Sequence, residues 1–75
     1  MRKVYKNPKE LGSAVRDIVD LYRDDLMTYE ELTKKIKVIA EYNEERLFKN
    51  GAVENKISNV LGEERLQIVN DILSE

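Results

Sequence analysis

The chain has no cysteine, no histidine and no tryptophan, and only one proline, three glycines and one phenylalanine among its 75 residues. Each absence removes a class of chemistry. Without cysteine there is no disulfide staple and no thiolate nucleophile, and the composition fits a reducing cytosol. Without histidine the usual general base at neutral pH is gone, and with cysteine go the common zinc ligands. Ser13, Ser58 and Ser74 therefore have no imidazole to activate them. Gly12, Gly51 and Gly62 lie far apart, so there is no glycine-rich loop to cradle a phosphate. No apolar run approaches the roughly 20 residues needed to cross a bilayer. The opening Met1-Arg2-Lys3-Val4-Tyr5-Lys6 carries charge with no apolar segment behind it, unlike a signal peptide. Together these absences predict a cytoplasmic protein that is not an enzyme and has no metal, no cofactor and no membrane partner.

What remains is 41% hydrophobic and 37% charged. That suffices for one domain over residues 1–75, near the size at which a single core is only marginally stabilising. A net charge of −2 gives no global attraction to nucleic acid or anionic lipid. The distribution is uneven. Residues 1–6 read as an extended basic arm with Arg2, Lys3 and Lys6, whereas residues 51–75 hold Glu54, Glu63, Glu64, Asp71 and Glu75 against Lys56 and Arg65.

The strongest local signal is at Thr28. Thr28 and Glu31 form a capping box, with Met27 and Leu32 placed for a hydrophobic staple. From there Leu32, Ile36, Ile39, Ala40 and Leu47 recur at helical spacing, interrupted by Asn43, and predict one long helix from Thr28 to Phe48 that stops at Gly51. Glu30–Lys34, Glu31–Lys35 and Glu45–Lys49 fall in the favourable i,i+4 order. Val38 and Tyr42 point almost opposite to Ile36, which gives this helix a second apolar face.

Upstream, Asn7, Pro8 and Glu10 supply a cap, a first-position proline and a box residue for a helix over about 8–24. Its stripe is Leu11, Ala14, Val15, Ile18, Val19, Leu21 and Tyr22. The short link Asp24 to Met27 makes the first two helices antiparallel neighbours. Downstream, Val53, Ile57, Val60 and Leu61 mark a helix over about 52–61, stopped by Gly62, and Leu66, Val69, Ile72 and Leu73 mark another over about 63–73. No stretch other than residues 1–6 suggests a strand. The expected fold is all-α: a long antiparallel helical hairpin closed by two short C-terminal helices.

Three constellations bear on function. Asp17, Asp20, Asp24 and Asp25 offer carboxylates to a divalent cation, but Arg16 and Arg23 are interleaved and the spacing is not a calcium loop, so the set reads as a solvated helix face. The pair 52–61 and 63–73 has the outline of a helix-turn-helix, in which Arg65, Gln67 and Asn70 would read bases and Arg2, Lys3 and Lys6 would touch phosphates. Glu63, Glu64 and Asp71 would be repelled there. Tyr29, Val38, Tyr42, Phe48 and Ile68 are the candidates for a protein-facing surface, because aromatic and large apolar residues dominate interface cores.

Tyr5-Lys6-Asn7-Pro8-Lys9-Glu10-Leu11, Leu47-Phe48-Lys49-Asn50-Gly51 and Leu61-Gly62-Glu63-Glu64-Arg65-Leu66 resemble stretches of a group of small uncharacterised proteins from Gram-positive bacteria and their phages. The resemblance implies context alone: a cytoplasmic protein of a prophage or another mobile element, with no site residue carried over. The leading expectation is a small non-enzymatic regulator or inhibitor that binds a protein partner. The alternative is a helix-turn-helix DNA-binding regulator using residues 52–73. A homodimer in which Val38 and Tyr42 meet their own copy is a third arrangement, which light scattering would distinguish.

Overall fold

The computed structural model describes residues 4–75, so Arg2 and Lys3 of the basic arm lie outside the described residues. Helix α1 (Pro8–Arg23) begins where expected: the Asn7 side chain accepts a hydrogen bond from the Lys9 N–H, and Pro8 occupies the first turn, where no donor is needed. Helix α2 (Tyr29–Tyr42) begins on the Thr28–Glu31 capping box, with the Glu31 N–H donating to Thr28 Oγ1 at 3.1 Å and the Thr28 N–H to Glu31 Oε1 at 3.2 Å. The Thr28 N–H, together with the Thr28 hydroxyl that donates to Glu31 Oε1 at 3.1 Å, holds the Glu31 carboxyl below the usual glutamate range. Thr28→Ala removes the cap and should cost about 1 kcal/mol by urea denaturation, and an unchanged midpoint would mean the box contributes nothing.

The central helix is shorter than its apolar spacing predicts. It ends at Tyr42, not Phe48, because Asn43 leaves the helical conformation (φ −129°, ψ 27°) and turns its amide inward. Asn43 Nδ2 donates to the Ile39 carbonyl at 2.8 Å, and its Oδ1 accepts from the Tyr5 N–H at 2.9 Å. An asparagine that bonds backbone in this way competes with the helix ladder. The chain resumes as the single turn α3 (Glu44–Leu47), which buries Leu47. Lys49 is thus on no helix, and the expected Glu45–Lys49 helical pair is replaced by a hairpin.

That hairpin corrects the expectation that only residues 1–6 could be extended. Strands β1 (Phe48–Lys49) and β2 (Ala52–Val53) pair antiparallel, Phe48 opposite Val53 and Lys49 opposite Ala52. Asn50 and Gly51 both have positive φ (55° and 82°), the signature of a tight two-residue hairpin turn. Helix α4 (Asn55–Leu73) accordingly starts at Asn55, three residues later than predicted, with Glu54 capping the Lys56 N–H. At Gly62 the helix breaks (φ 78°, ψ 171°), where a stop was expected. Val4 to Lys6 form no strand, and Tyr5 is buried against the core.

The protein is mostly helical, with one minimal sheet. The packing order also differs from a hairpin with a lid: α1 makes its most extensive contact with α4 and lesser ones with α2. Gly12 faces Ile57 and Val60, Asp20 binds Arg65, and Arg23 binds Glu64, so α1 and α4 run alongside in the same sense. Leu11, Val15 and Val19 of α1, Leu32, Ile36 and Ile39 of α2, and Ile57, Leu61, Val69 and Ile72 of α4 fill one core. No described helix is long and apolar enough to cross a membrane.

Candidate functional site

The link between α1 and α2 is a defined corner. Asp25 adopts the left-handed conformation (φ 61°), the Asp25 N–H donates to the Tyr22 carbonyl at 3.1 Å, and the Leu26 N–H donates to the Leu21 carbonyl at 2.8 Å. This pair of bonds is a Schellman closure, which satisfies the last carbonyls of α1 and brings the side chains on either side of the turn together. Here those side chains are Leu21 and Leu26, and both face solvent, at 40% and 73% exposure. Tyr29, at 41%, stands at the start of α2 three residues on. Its ring meets Tyr22 edge-on, centroids 5.6 Å apart, and its hydroxyl donates to Glu75 Oε2 at 2.7 Å. The Glu75 carboxylate holds the Tyr29 hydroxyl protonated above the ordinary phenol range. Leu21, Leu26 and Tyr29 are therefore presented on fixed backbone, with Glu75 latched alongside.

A second polar constellation braces the break in α4. Arg65 Nε donates to Asp20 Oδ1 at 2.7 Å, Nη2 to Asp20 Oδ2 at 3.2 Å, and Nη1 to the Leu61 carbonyl at 3.2 Å. One guanidinium thus joins α1 to both sides of Gly62, in the two-pronged geometry that arginine suits best. The Arg65 hydrogen bond holds the Asp20 carboxyl below the usual aspartate range, and Asp20 in turn raises Arg65. Because Asp20 binds its proton less readily in the folded state, its contribution to stability is complete above the unfolded aspartate value of about 4 and disappears as pH falls through the lowered folded value. Asp20→Asn should therefore flatten, in part, the loss of stability below about pH 4, with Glu31 supplying another share of that slope. Urea midpoints measured against pH check this, and an unaltered acid limb would sink it.

The predicted residues separate. Of the protein-facing set, Tyr29 belongs to the corner. Tyr42 is exposed at the other end of α2, about 20 Å along the axis, beside Asn43 and the Val4–Tyr5 segment. Val38 is half-buried, and Phe48 and Ile68 are half-buried against the core. Of the nucleic-acid set, Arg65 is committed to Asp20 and Leu61, Gln67 Nε2 donates to Asp71 Oδ1 at 2.8 Å, and Asn70 is exposed, its carbonyl accepting from Ser74 Oγ. The Lys6 carbonyl accepts from Arg46 Nε, at the opposite end of α1 from Asp20. The structure thus does not bring Lys6 and Arg65 together. Asp17 lies against Arg16 and Asp20 against Arg65, and among the described residues no group of three acids could hold a metal.

A family described as conserved hypothetical protein matches residues 2–74. The chain belongs to this family. No curated protein and no solved structure matches it. For this member of the family the corner is thus read on geometry alone. Leu21 and Leu26 were not among the candidates from sequence: Leu21 was absorbed into the α1 stripe and Leu26 into the link. The available signal was two leucines five apart astride a helix end, the positions whose contact accompanies a Schellman turn. A shallow groove of about 420 Å³ also opens between the end of α2, the hairpin and the end of α4, with Phe48, Val53 and Leu73 on its apolar side and Glu41 and Glu44 at its rim.

Proposed function

We propose that this chain is a small non-enzymatic protein-binding domain that regulates or inhibits its partner, docking through the corner formed by Leu21, Leu26 and Tyr29. One observation carries the reading: the Schellman turn fixes two leucines outward beside a half-exposed tyrosine, where the same bonds normally tuck such residues together. A rigid apolar surface costs little entropy to bury, which favours binding over mere exposure. The resemblance of residues 5–11, 47–51 and 61–66 to small proteins of Gram-positive bacteria and their phages is in keeping with a cytoplasmic regulator encoded by a prophage.

Leu26→Asp tests the docking surface. Leu26 is 73% exposed, so the substitution removes no core packing and thermal unfolding should be unchanged, while affinity for the partner falls by about tenfold or more. The partner comes from a pull-down of tagged protein from host lysate, with and without nuclease. A stoichiometric protein band that survives nuclease and is lost with Leu26→Asp is the expected result. Capture of nucleic acid, with every co-purifying protein released by nuclease, would replace this reading with the helix-turn-helix one.

A further inference from the structure

The apolar corner sits in an acidic setting that narrows its occupant. The hydrogen bond from Tyr29 to Glu75 joins residues 24–33 to residues 71–75. Together they hold Asp24, Asp25, Glu30, Glu31, Asp71 and Glu75 and not one lysine or arginine, in a chain whose net charge is only −2. Of the flanking cations, Arg23 Nη2 lies 2.7 Å from Glu64 Oε2, whereas Lys34 Nζ lies 3.7 Å from Glu30 Oε1 and, with Lys35, acts on Glu31, so the lysines offset part of this charge and leave an acidic excess. Helix α1 ends here and α2 begins here, so their opposite dipole poles offset and the field comes from the carboxylates. No three of these acids converge as a metal-binding group among the described residues, so the charge is spread over a surface instead of focused on one ion.

We infer that the occupant of the Leu21–Leu26–Tyr29 surface is a basic amphipathic helix of a protein partner, its apolar stripe on the two leucines and its lysines or arginines opposite the surrounding carboxylates. This rests on the docking role proposed above and specifies its partner. An apolar stripe flanked by cations at helical spacing matches an apolar centre with dispersed acids, and the same field repels acidic segments, nucleic acid and anionic lipid.

The test uses the full-length protein, isotopically labelled, and three synthetic peptides of about four helical turns: one of leucine and lysine in amphipathic order, one with glutamate for every lysine, and one with serine for every leucine. The leucine–lysine peptide should shift backbone amides of residues 21–30 and 71–75 and no other cluster. Its affinity should fall several-fold between low ionic strength and about 0.15 M. Leu26→Ser should weaken it about tenfold. The double variant Asp25→Asn, Glu30→Gln should weaken it several-fold and reduce the salt dependence. Equal binding of the glutamate peptide, equal binding of the leucine-free peptide, or shifts that ignore Leu26→Ser would each overturn the inference. Failure of the parent reading looks different. If a partner captured from lysate depends on Leu26 but docks through a neutral or acidic segment, the docking role stands and the basic helix is wrong. If capture is indifferent to Leu26, the corner itself is wrong.

Discussion

Gly12→Leu should destabilise the protein by about 3 kcal/mol, at the upper end of what overpacking costs. A Cβ built on Gly12 would lie 3.1 Å from Val60 Cβ and 3.4 Å from both Ile57 Cα and Val60 Cγ1. Alanine brings one such atom, and Val60 has only to yield by a few tenths of an ångström. The gain in helix propensity of about 1 kcal/mol over glycine offsets that strain, so Gly12→Ala should be close to neutral. Leucine adds three further carbons against the α4 backbone and forces the helices apart. For a domain of this size a loss of that order lowers Tm by more than about 10 °C. Urea denaturation of the two variants side by side makes the test: equal stability of Gly12→Leu and wild type would mean that α1 and α4 do not touch at this point.

Gly62→Ala should cost about 2 kcal/mol for a reason unrelated to packing. Gly62 has φ 78° and ψ 171°, a region closed to L-residues by their Cβ. Nothing lies within 4 Å of where a side chain would stand, so no contact is gained or lost. The penalty is therefore one of backbone handedness. A chemically synthesised chain with D-alanine at position 62 isolates it, because the mirror image of this conformation is ordinary extended backbone. D-Alanine should keep wild-type stability or add a few tenths of a kcal/mol by restricting the unfolded chain. Were both enantiomers equally harmful, the break would not depend on glycine, and the bracing of Asp20 and Leu61 by Arg65 would have to account for it.

Much of the helical framework was legible because several local signals coincided. Asn7 with Pro8 opened α1, and Thr28 with Glu31 opened α2, since caps act through bonds only three residues long. Gly62 was readable as a stop for the same reason. Asn43 was not, because its effect depends on Tyr5, thirty-eight residues away in sequence. Periodicity alone carried Leu47 onto the α2 stripe, although the separate helical turn after Asn43 delivers it to the core instead. The Asn50-Gly51 hairpin was present in the letters, but a glycine after an apparent helix reads equally well as a C-cap. The same ambiguity hid the corner. Leu21 fits the α1 stripe by spacing, yet it lies at the exposed edge of the helix, and the Schellman turn places Leu26 in solvent beyond it.

The side-by-side course of α1 and α4 has a consequence for how the chain matures. Asp20 and Arg65 are 45 residues apart, and Gly12 waits for Ile57 and Val60. During synthesis α1 emerges first, yet the helix that covers most of its apolar stripe is made last. α2 alone shelters it only in part, so the nascent chain carries a partly uncovered amphipathic helix until α4 leaves the ribosome. Closing so long a loop delays the rewarding contacts until late, because α1 and α4 supply much of the same core. Folding is thus tied to the arrival of α4, and the core closes only when α1 meets it.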